Sequence, residues 1–87
     1  MKIIFSEHAL FEIEFRKIDK EEVERLIENP MQKLPAKKNR IIMQKRYNDD
    51  MAHKEMLLRV IGEELENAFH VITVYKTSKI EKYWKED

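Results

Sequence analysis

The sequence predicts an α+β fold in which two helices pack on one face of an antiparallel sheet. Apolar residues recur with helical spacing between residues 7 and 29, and they alternate with polar residues in the later segments. Short polar stretches separate these segments, and short connections make neighbouring strands pair. We therefore expect the element order β-α-α-β-β-β, with room for one more strand. At 87 residues the chain predicts a single domain, residues 1–87, with one modest core.

The chain opens with a predicted strand and a predicted helix. Residues 2–5 form a short β-branched and aromatic run, which is typical of a strand. Ser6 is a good N-cap, and Glu7 then lies in the first turn, where the helix dipole favours an acid. The spacing predicts a first helix over residues 7–16.

A second helix has clear start and stop signals. Asp19 is a predicted N-cap with Glu22 three residues later, the pattern of a capping box, and Asn29 followed by proline ends the helix. The two helices form a hairpin that must bury an apolar stripe against the sheet. We expect this stripe to comprise Leu10, Ile13, Val23, Leu26 and Ile27.

The second half of the chain predicts strands at residues 31–34, 40–48, 54–63 and 68–76. Because side chains alternate along a strand, one set of apolar residues should face the helices. We expect this set to be Met56, Leu58, Val60, Ile72 and Val74. The same alternation places Arg59, Thr73 and Tyr75 together on the other face, which the helices leave uncovered.

The charges are balanced overall but unevenly distributed. The chain has 17 basic and 17 acidic residues, yet residues 31–62 hold eight basic and only three acidic side chains. Local potential rather than total charge governs contact with nucleic acid, so this segment could form a phosphate-facing surface. Ordinary solvated charge is the alternative.

Several protein classes are disfavoured by composition. There is no cysteine, and the N-terminal apolar stretch contains acids, so we expect a cytoplasmic protein without signal peptide or membrane span. The only glycine is Gly62, which excludes a glycine-rich phosphate loop. His8 and Glu12 could form half a metal site, but His53 and His70 lack ligand spacing. We expect neither a metal nor a cofactor.

Two stretches resemble a known family. Ser6-Glu7-His8-Ala9 opens the first helix, Arg16 follows, and the C-terminal half carries Leu58-Arg59-Val60 and Val71-Ile72-Thr73-Val74-Tyr75 before Tyr83-Trp84. This combination resembles a widespread family of small proteins known only as a domain of unknown function. In element order that family is similar to the RelE/ParE-type bacterial toxins, many of which cut messenger RNA on the ribosome.

The resemblance implies an activity and partners. Arg59 matches the position of a phosphate-binding arginine in those toxins, while Lys79 and Tyr83 stand near their basic residue and tyrosine with a different spacing. Glu12 departs from the basic residue common in the first helix of the family. The implied protein is a metal-independent endoribonuclease of a type II toxin–antitoxin system, acting on RNA or the ribosome and held by an antitoxin.

RNA cleavage suggests roles for particular residues. Histidine suits proton transfer near neutral pH, and arginine clamps phosphate. We therefore expect catalytic residues at His8, Arg59 and Tyr75. Phosphate-binding side chains would converge with them at one end of the sheet, namely Arg16, Lys45, Arg46 and Lys79. Structural alternatives stay open, above all an ion pair of Arg16 with Glu12.

A non-catalytic interaction module on the same fold is the alternative function. Phe11 and Phe15 form an apolar pair at i and i+4, and Leu57, Ile61 and Tyr75 would make an apolar patch on the uncovered sheet face. An antitoxin or a second copy of the chain could bind there, with Tyr83 and Trp84 among the contacts. Alternatively, the Tyr83-Trp84 tail could itself cover part of the sheet.

Overall fold

The secondary structure follows the sequence pattern closely, but the pattern did not predict one short α-helix and a 3-10 turn at Lys37–Asn39, inside the predicted basic loop. A computed structural model describes residues 1–86; Asp87, the end of the predicted domain, lies outside them. Among these residues no helix is of a length and hydropathy that would carry it across a bilayer. The elements are β1 Lys2–Phe5, α1 Glu7–Phe15, α2 Lys20–Glu28, β2 Gln32–Pro35, β3 Ile41–Asp49, β4 Lys54–Leu65, β5 Ala68–Thr77 and the additional α3 Ile80–Tyr83.

The five strands form one sheet of mixed direction in the order β1-β5-β4-β3-β2. The chain from β2 to β5 runs as an antiparallel meander, as predicted from its short turns. The first strand instead pairs with β5 in parallel, so the sheet is not wholly antiparallel. The helical hairpin connects β1 at one edge of the sheet to β2 at the other edge, and the meander then returns to place β5 beside β1.

Both predicted N-caps are present, but the capping box is not. The Asp19 carboxylate accepts from the backbone N–H of Glu21 at 2.9 Å. Glu22 instead pairs with Lys45 of β3 and with Arg25 of its own helix. A tertiary ion pair has thus replaced a local cap.

The core lies between the helical hairpin and one face of the sheet. Its fully buried members include Val23, Leu26, Met43, Leu58, Val60, Phe69, Val71 and Val74. Three expected members do not belong to this buried cluster. Leu10 is 43% exposed on the outer side of α1, while Met56 and Ile72 are only half-buried.

A β-bulge explains why Ile72 leaves the core. Ile61 pairs with Thr73 but Gly62 pairs with Val71, so Ile72 is the extra residue on β5. Its carbonyl accepts a hydrogen bond from the Ser6 hydroxyl at 3.0 Å. The bulge shifts the alternation by one residue, so that residues before and after it face the core in different phase.

The other face of the sheet carries Gln44, Arg46, Arg59 and Tyr75, and we call it the arginine face. It was expected to be uncovered, but residues 78–86, the C-terminal strap, fold across it. The strap includes α3 and the half-buried Tyr83 and Trp84. The alternative in which this tail covers part of the sheet is therefore the one observed.

Candidate functional site

Arg59 lies at the centre of the arginine face. It pairs across the strands with Gln44 on one side and Tyr75 on the other, so all three side chains point the same way. The Arg59 guanidinium donates from Nε to Gln44 Oε1 at 2.9 Å and from Nη1 to the Tyr75 hydroxyl. Only 5% of Arg59 is exposed. The prediction that Arg59 and Tyr75 lie together on one face of the sheet is confirmed, and the two side chains are in direct contact.

Within residues 1–86, no carboxylate balances the charge of Arg59. Arg46, the other arginine that lies in a strand, forms an ion pair with Glu55. The contrast with Arg46 is direct, because Arg46 makes a two-pronged contact with Glu55, at 2.7 and 3.1 Å. A buried cation without a counter-ion is costly, and such groups concentrate at functional sites.

Two aromatic rings of the strap lie on two arginines. The Tyr83 ring centroid is 4.0 Å from the Arg59 guanidinium carbon, and the Trp84 ring is 5.1 Å from that of Arg46. Tyr75 meets Tyr83 edge to face at 6.3 Å. These contacts stabilise the cations without neutralising them.

Two glutamines link Arg59 to the strap. Gln44, fully buried, donates to Gln32 Oε1 at 2.7 Å and to the Tyr83 carbonyl at 3.1 Å. Gln32 in turn donates to the Lys85 carbonyl at 2.8 Å and accepts from the Lys85 N–H at 3.1 Å. Sequence reasoning missed both glutamines. The signal was a polar residue, Gln44, in the middle of a strand and in alternation with Arg46.

The pKa values of the two tyrosines beside Arg59 are shifted in opposite directions. Burial raises the pKa of the Tyr75 hydroxyl above its ordinary value, and the nearby Arg59 charge only partly offsets this. The ammonium of Lys82, whose Nζ lies 5.2 Å from the centroid of the Tyr83 ring, lowers the pKa of Tyr83, with a further contribution from Arg59. One phenol thus holds its proton while the other gives it up more readily, which is the pattern of an acid and base pair.

A shallow groove runs beside the strap on the same face. It has a volume of about 730 Å³, and its wall carries Arg46, Lys79 and Lys82 together with Glu55 and Glu81. Lys79, one of the predicted phosphate-binding residues, is exposed there at the start of α3. The groove gives a polymer a path to the edge of the Arg59 cluster.

Three predicted site residues do not join this cluster, so the expected convergence is wrong for them. His8 lies exposed in the first turn of α1, and Arg16 at the end of that helix forms an ion pair with Glu12. Lys45 points to the helix face, because it alternates with Gln44 and Arg46. There its hydrogen bond lowers the pKa of Glu22.

The predicted partner-binding residues separate into two groups. Phe11 and Phe15 stack on each other at 5.5 Å and are 60% and 70% exposed on α1. Tyr83 and Trp84 belong to the strap. The expected apolar patch on the sheet is absent in the described part of the chain, since Leu57 there is fully buried.

A second polar cluster lies on the helix face, beside a cavity of about 420 Å³. Asp49 Oδ2 accepts from the Tyr47 hydroxyl at 3.0 Å and from Lys76 Nζ at 3.3 Å, while Oδ1 accepts from the N–H of Ala52 at 3.0 Å. The backbone N–H of Ala52, then the Tyr47 hydroxyl, lowers the pKa of Asp49 to about 2. This cluster is charge-balanced.

Comparison with known proteins places the chain in a family without assigning it a function. In residues 1–86, no three histidine, aspartate or glutamate side chains are grouped as a metal ion would require. We find no curated protein and no solved structure that matches the chain. A family model matches residues 5–76, which include Gln44, Arg59 and Tyr75 and end before the strap. The chain therefore belongs to the family described as domain of unknown function DUF4258.

Proposed function

We propose that this protein is a toxin-like endoribonuclease with a RelE/ParE-like architecture, which binds RNA on the arginine face and cleaves it without a metal. The observation that carries the proposal is the buried guanidinium of Arg59, which has no carboxylate partner among residues 1–86. An RNA phosphate would supply the missing negative charge. Arginine binds phosphate in a two-pronged geometry, which a point charge does not offer.

The proposed reaction uses the 2′-hydroxyl of the RNA as the nucleophile. Its oxygen attacks the adjacent phosphorus, the bond from phosphorus to the 5′-oxygen breaks, and a 2′,3′-cyclic phosphate remains. Arg59 would stabilise the negative charge that accumulates on the phosphorane oxygens. Because the nucleophile is part of the substrate, the protein needs only an acid, a base and a cation.

Tyr83 and Tyr75 are the proposed proton carriers. Tyr83, whose pKa is lowered by Lys82, would take the proton from the 2′-hydroxyl. Tyr75 accepts a hydrogen bond from Arg59, so its own proton is free to pass to the leaving 5′-oxygen. Proton exchange with solvent then restores both phenols. This set retains two of the three predicted catalytic residues and leaves out His8.

The decisive experiment offers the purified chain two substrates, free single-stranded RNA and translating ribosomes, in the presence of EDTA. We expect cleavage products that end in a 2′,3′-cyclic phosphate. The proposal fails if a high concentration of the chain leaves both substrates intact.

Variants of the cluster test the assigned roles. Arg59→Met should reduce cleavage by about 100-fold or more, the usual effect of removing one donor to a transition-state oxyanion. Tyr83→Phe should also reduce the rate of cleavage. Because the proposed base is then absent, the rate of this variant should not increase with pH as the wild-type rate should. Lys33→Gln, on the exposed side of β2, is the matched control and should cleave normally. Full activity of Arg59→Met would remove Arg59 from the site.

Partner binding through α1 is a second candidate function, supported by a different observation. Leu10, Phe11 and Phe15 are all large apolar side chains on the outer side of one helix, and they are 43–70% exposed. A small domain that exposes such a patch usually covers it with a partner. A protein of this kind could be a ribonuclease and also bind an antitoxin.

Sedimentation distinguishes the two partners that the sequence allows, a second copy of the chain and a different protein. A wild-type dimer that dissociates in the Phe11→Ser/Phe15→Ser variant would assign the patch to a second copy of the chain. A wild-type monomer would leave a different protein as its partner, and unchanged dimerisation in the variant would exclude the patch from the interface.

A further inference from the structure

We infer that the C-terminal strap is an intramolecular cover that competes with RNA for Arg59: it moves off the guanidinium as RNA binds, and Tyr83 then acts on the bound strand from the edge of the site. The inference rests on the proposed function and adds its regulation. The strap occupies the position that a bound strand would take, because its Tyr83 and Trp84 rings lie on Arg59 and Arg46. Unpaired RNA bases stack on arginine planes in the same way.

The strap makes few contacts with the sheet within residues 1–86, so it can detach from the arginine face. Its helix α3 has four residues, contains no buried residue and has no side-chain N-cap. A single helical turn is not stable alone, because nucleation costs more than one turn returns. Apart from the two aromatic rings, four hydrogen bonds within residues 1–86 join the strap to the sheet: two between Gln32 and Lys85, one from Gln44 to the Tyr83 carbonyl, and a local one from the Lys79 N–H to the Thr77 hydroxyl.

Gln44 couples the position of the strap to Arg59, because it contacts both. The side-chain amide of Gln44 makes both contacts. Its nitrogen donates to the Tyr83 carbonyl, and its oxygen accepts from Arg59 Nε. When the strap shifts, the Tyr83 ring moves off the guanidinium and its carbonyl releases Gln44, which uncovers Arg59 while the Tyr83 phenol stays beside the site. The groove lined by Lys79 and Lys82 already opens at the strap's edge, so an incoming strand can begin to bind before the strap is displaced.

The family boundary is consistent with a separate role for the strap. The family model begins at Phe5, the last residue of β1, continues through β5 and ends at residue 76, whereas the strap begins at residue 78. Arg59 and Tyr75 lie inside the matched segment. Arg59 and Tyr75 are therefore carried by a different part of the chain from the strap that covers them.

Gln32→Ala tests the inference in the full-length chain, because it removes both hydrogen bonds to Lys85 without touching Arg59. Affinity is measured with a fluorescein-labelled, 2′-O-methylated single-stranded RNA that cannot be cut. If the strap covers the site most of the time, releasing it should tighten binding about three- to ten-fold. Lys33→Ala, the next residue on β2, is the control and should bind like wild type.

Trp84 reports the strap directly, since it is the only tryptophan of the chain. Unlabelled RNA should shift its emission to the red in the wild type, and Gln32→Ala should be shifted before RNA is added. The combined Gln32→Ala/Arg59→Met variant should lose the gain in affinity.

The outcomes separate the two hypotheses. If wild type binds RNA through Arg59 but Gln32→Ala binds no tighter although its Trp84 is released, the strap does not compete and only this inference fails. If no variant binds RNA in a way that depends on Arg59, whatever the state of Trp84, the proposed function fails.

Discussion

Two polar clusters occupy opposite faces of the same three strands, and they differ in charge balance. On the helix face, Asp49 contacts both Tyr47 and Lys76, so anion and cation neutralise each other. On the arginine face, Arg59 contacts Tyr75 and Gln44, both neutral. Each cluster joins a tyrosine to a charged side chain that is less than 10% exposed.

The difference indicates which cluster serves the fold and which serves a ligand. A balanced and fully hydrogen-bonded cluster stabilises the native state by itself. An unbalanced one carries a cost that a ligand of opposite charge can remove. The same reasoning separates Arg59 from Arg46, whose charge Glu55 already neutralises.

Gly62→Ala should disturb β4 and β5, which the two clusters share, and have the largest effect on stability. A Cβ at this position would lie 2.2 Å from the carbonyl oxygen of His70 and 2.7 Å from the Phe69 ring. Backbone and core would both have to move, which we expect to lower the free energy of unfolding by about 3 kcal/mol. Urea denaturation measures it. A variant as stable as wild type would mean that the bulge tolerates a side chain.

Asp49→Asn should break the balanced cluster alone, and its effect should depend on pH. The folded-state pKa of Asp49 is about 2, below the ordinary value of 3.8. The ionised carboxylate therefore stabilises the fold above about pH 4, and this contribution is lost as the pH falls from about 4 to about 2. Urea midpoints between pH 2 and 7 should fall more steeply for wild type than for the variant. Parallel curves would contradict this role.

Arg59→Met should change stability less than Lys76→Met does. Loss of the hydrogen bonds to Gln44 and Tyr75 is offset by removal of an unbalanced buried charge, so the free energy of unfolding should stay within about 1 kcal/mol of wild type. Lys76→Met instead leaves Asp49 without its cation. Both changes are read from urea curves at pH 7. The comparison between the clusters is mistaken if the order of the two variants is reversed.

Lys33→Gln should have the smallest effect and sets the scale for the others. Its ion pair with Glu64, at 3.0 Å, joins two side chains that are both almost half exposed. Exposed pairs contribute little because water and salt screen them, so we expect a change below about 0.5 kcal/mol. A larger loss, seen in the same urea assay, would show that the edge strand β2 depends on this pair.

Much of the helix and strand pattern could be predicted because it follows from nearest neighbours in the chain. Asp19 and Ser6 cap the helices as expected, and alternation correctly placed Arg59 and Tyr75 on one face. The bulge at Ile72 could not be predicted, because it arises from a close approach of two strands at Gly62. The one-turn helix α3 was missed because a single turn has no repeated apolar spacing.

The candidate site was predicted only in part, for a related reason. Arg59 and Tyr75 could be found from alternation, whereas Gln44 gains its role from its neighbours in space, Gln32 and Tyr83. His8 was expected at the site from a local motif and a general chemical preference. Its position on α1 depends on how the helix packs, which the motif does not contain.

By itself, the sequence determined where strands and helices form, because those depend on side-chain alternation and local caps. Only the tertiary structure decided that one buried arginine has no carboxylate partner in the part of the chain that the structure describes, and that the C-terminal strap lies over it. Both facts concern residues far apart in the chain, whose charges interact only after folding has brought them together and removed the water between them.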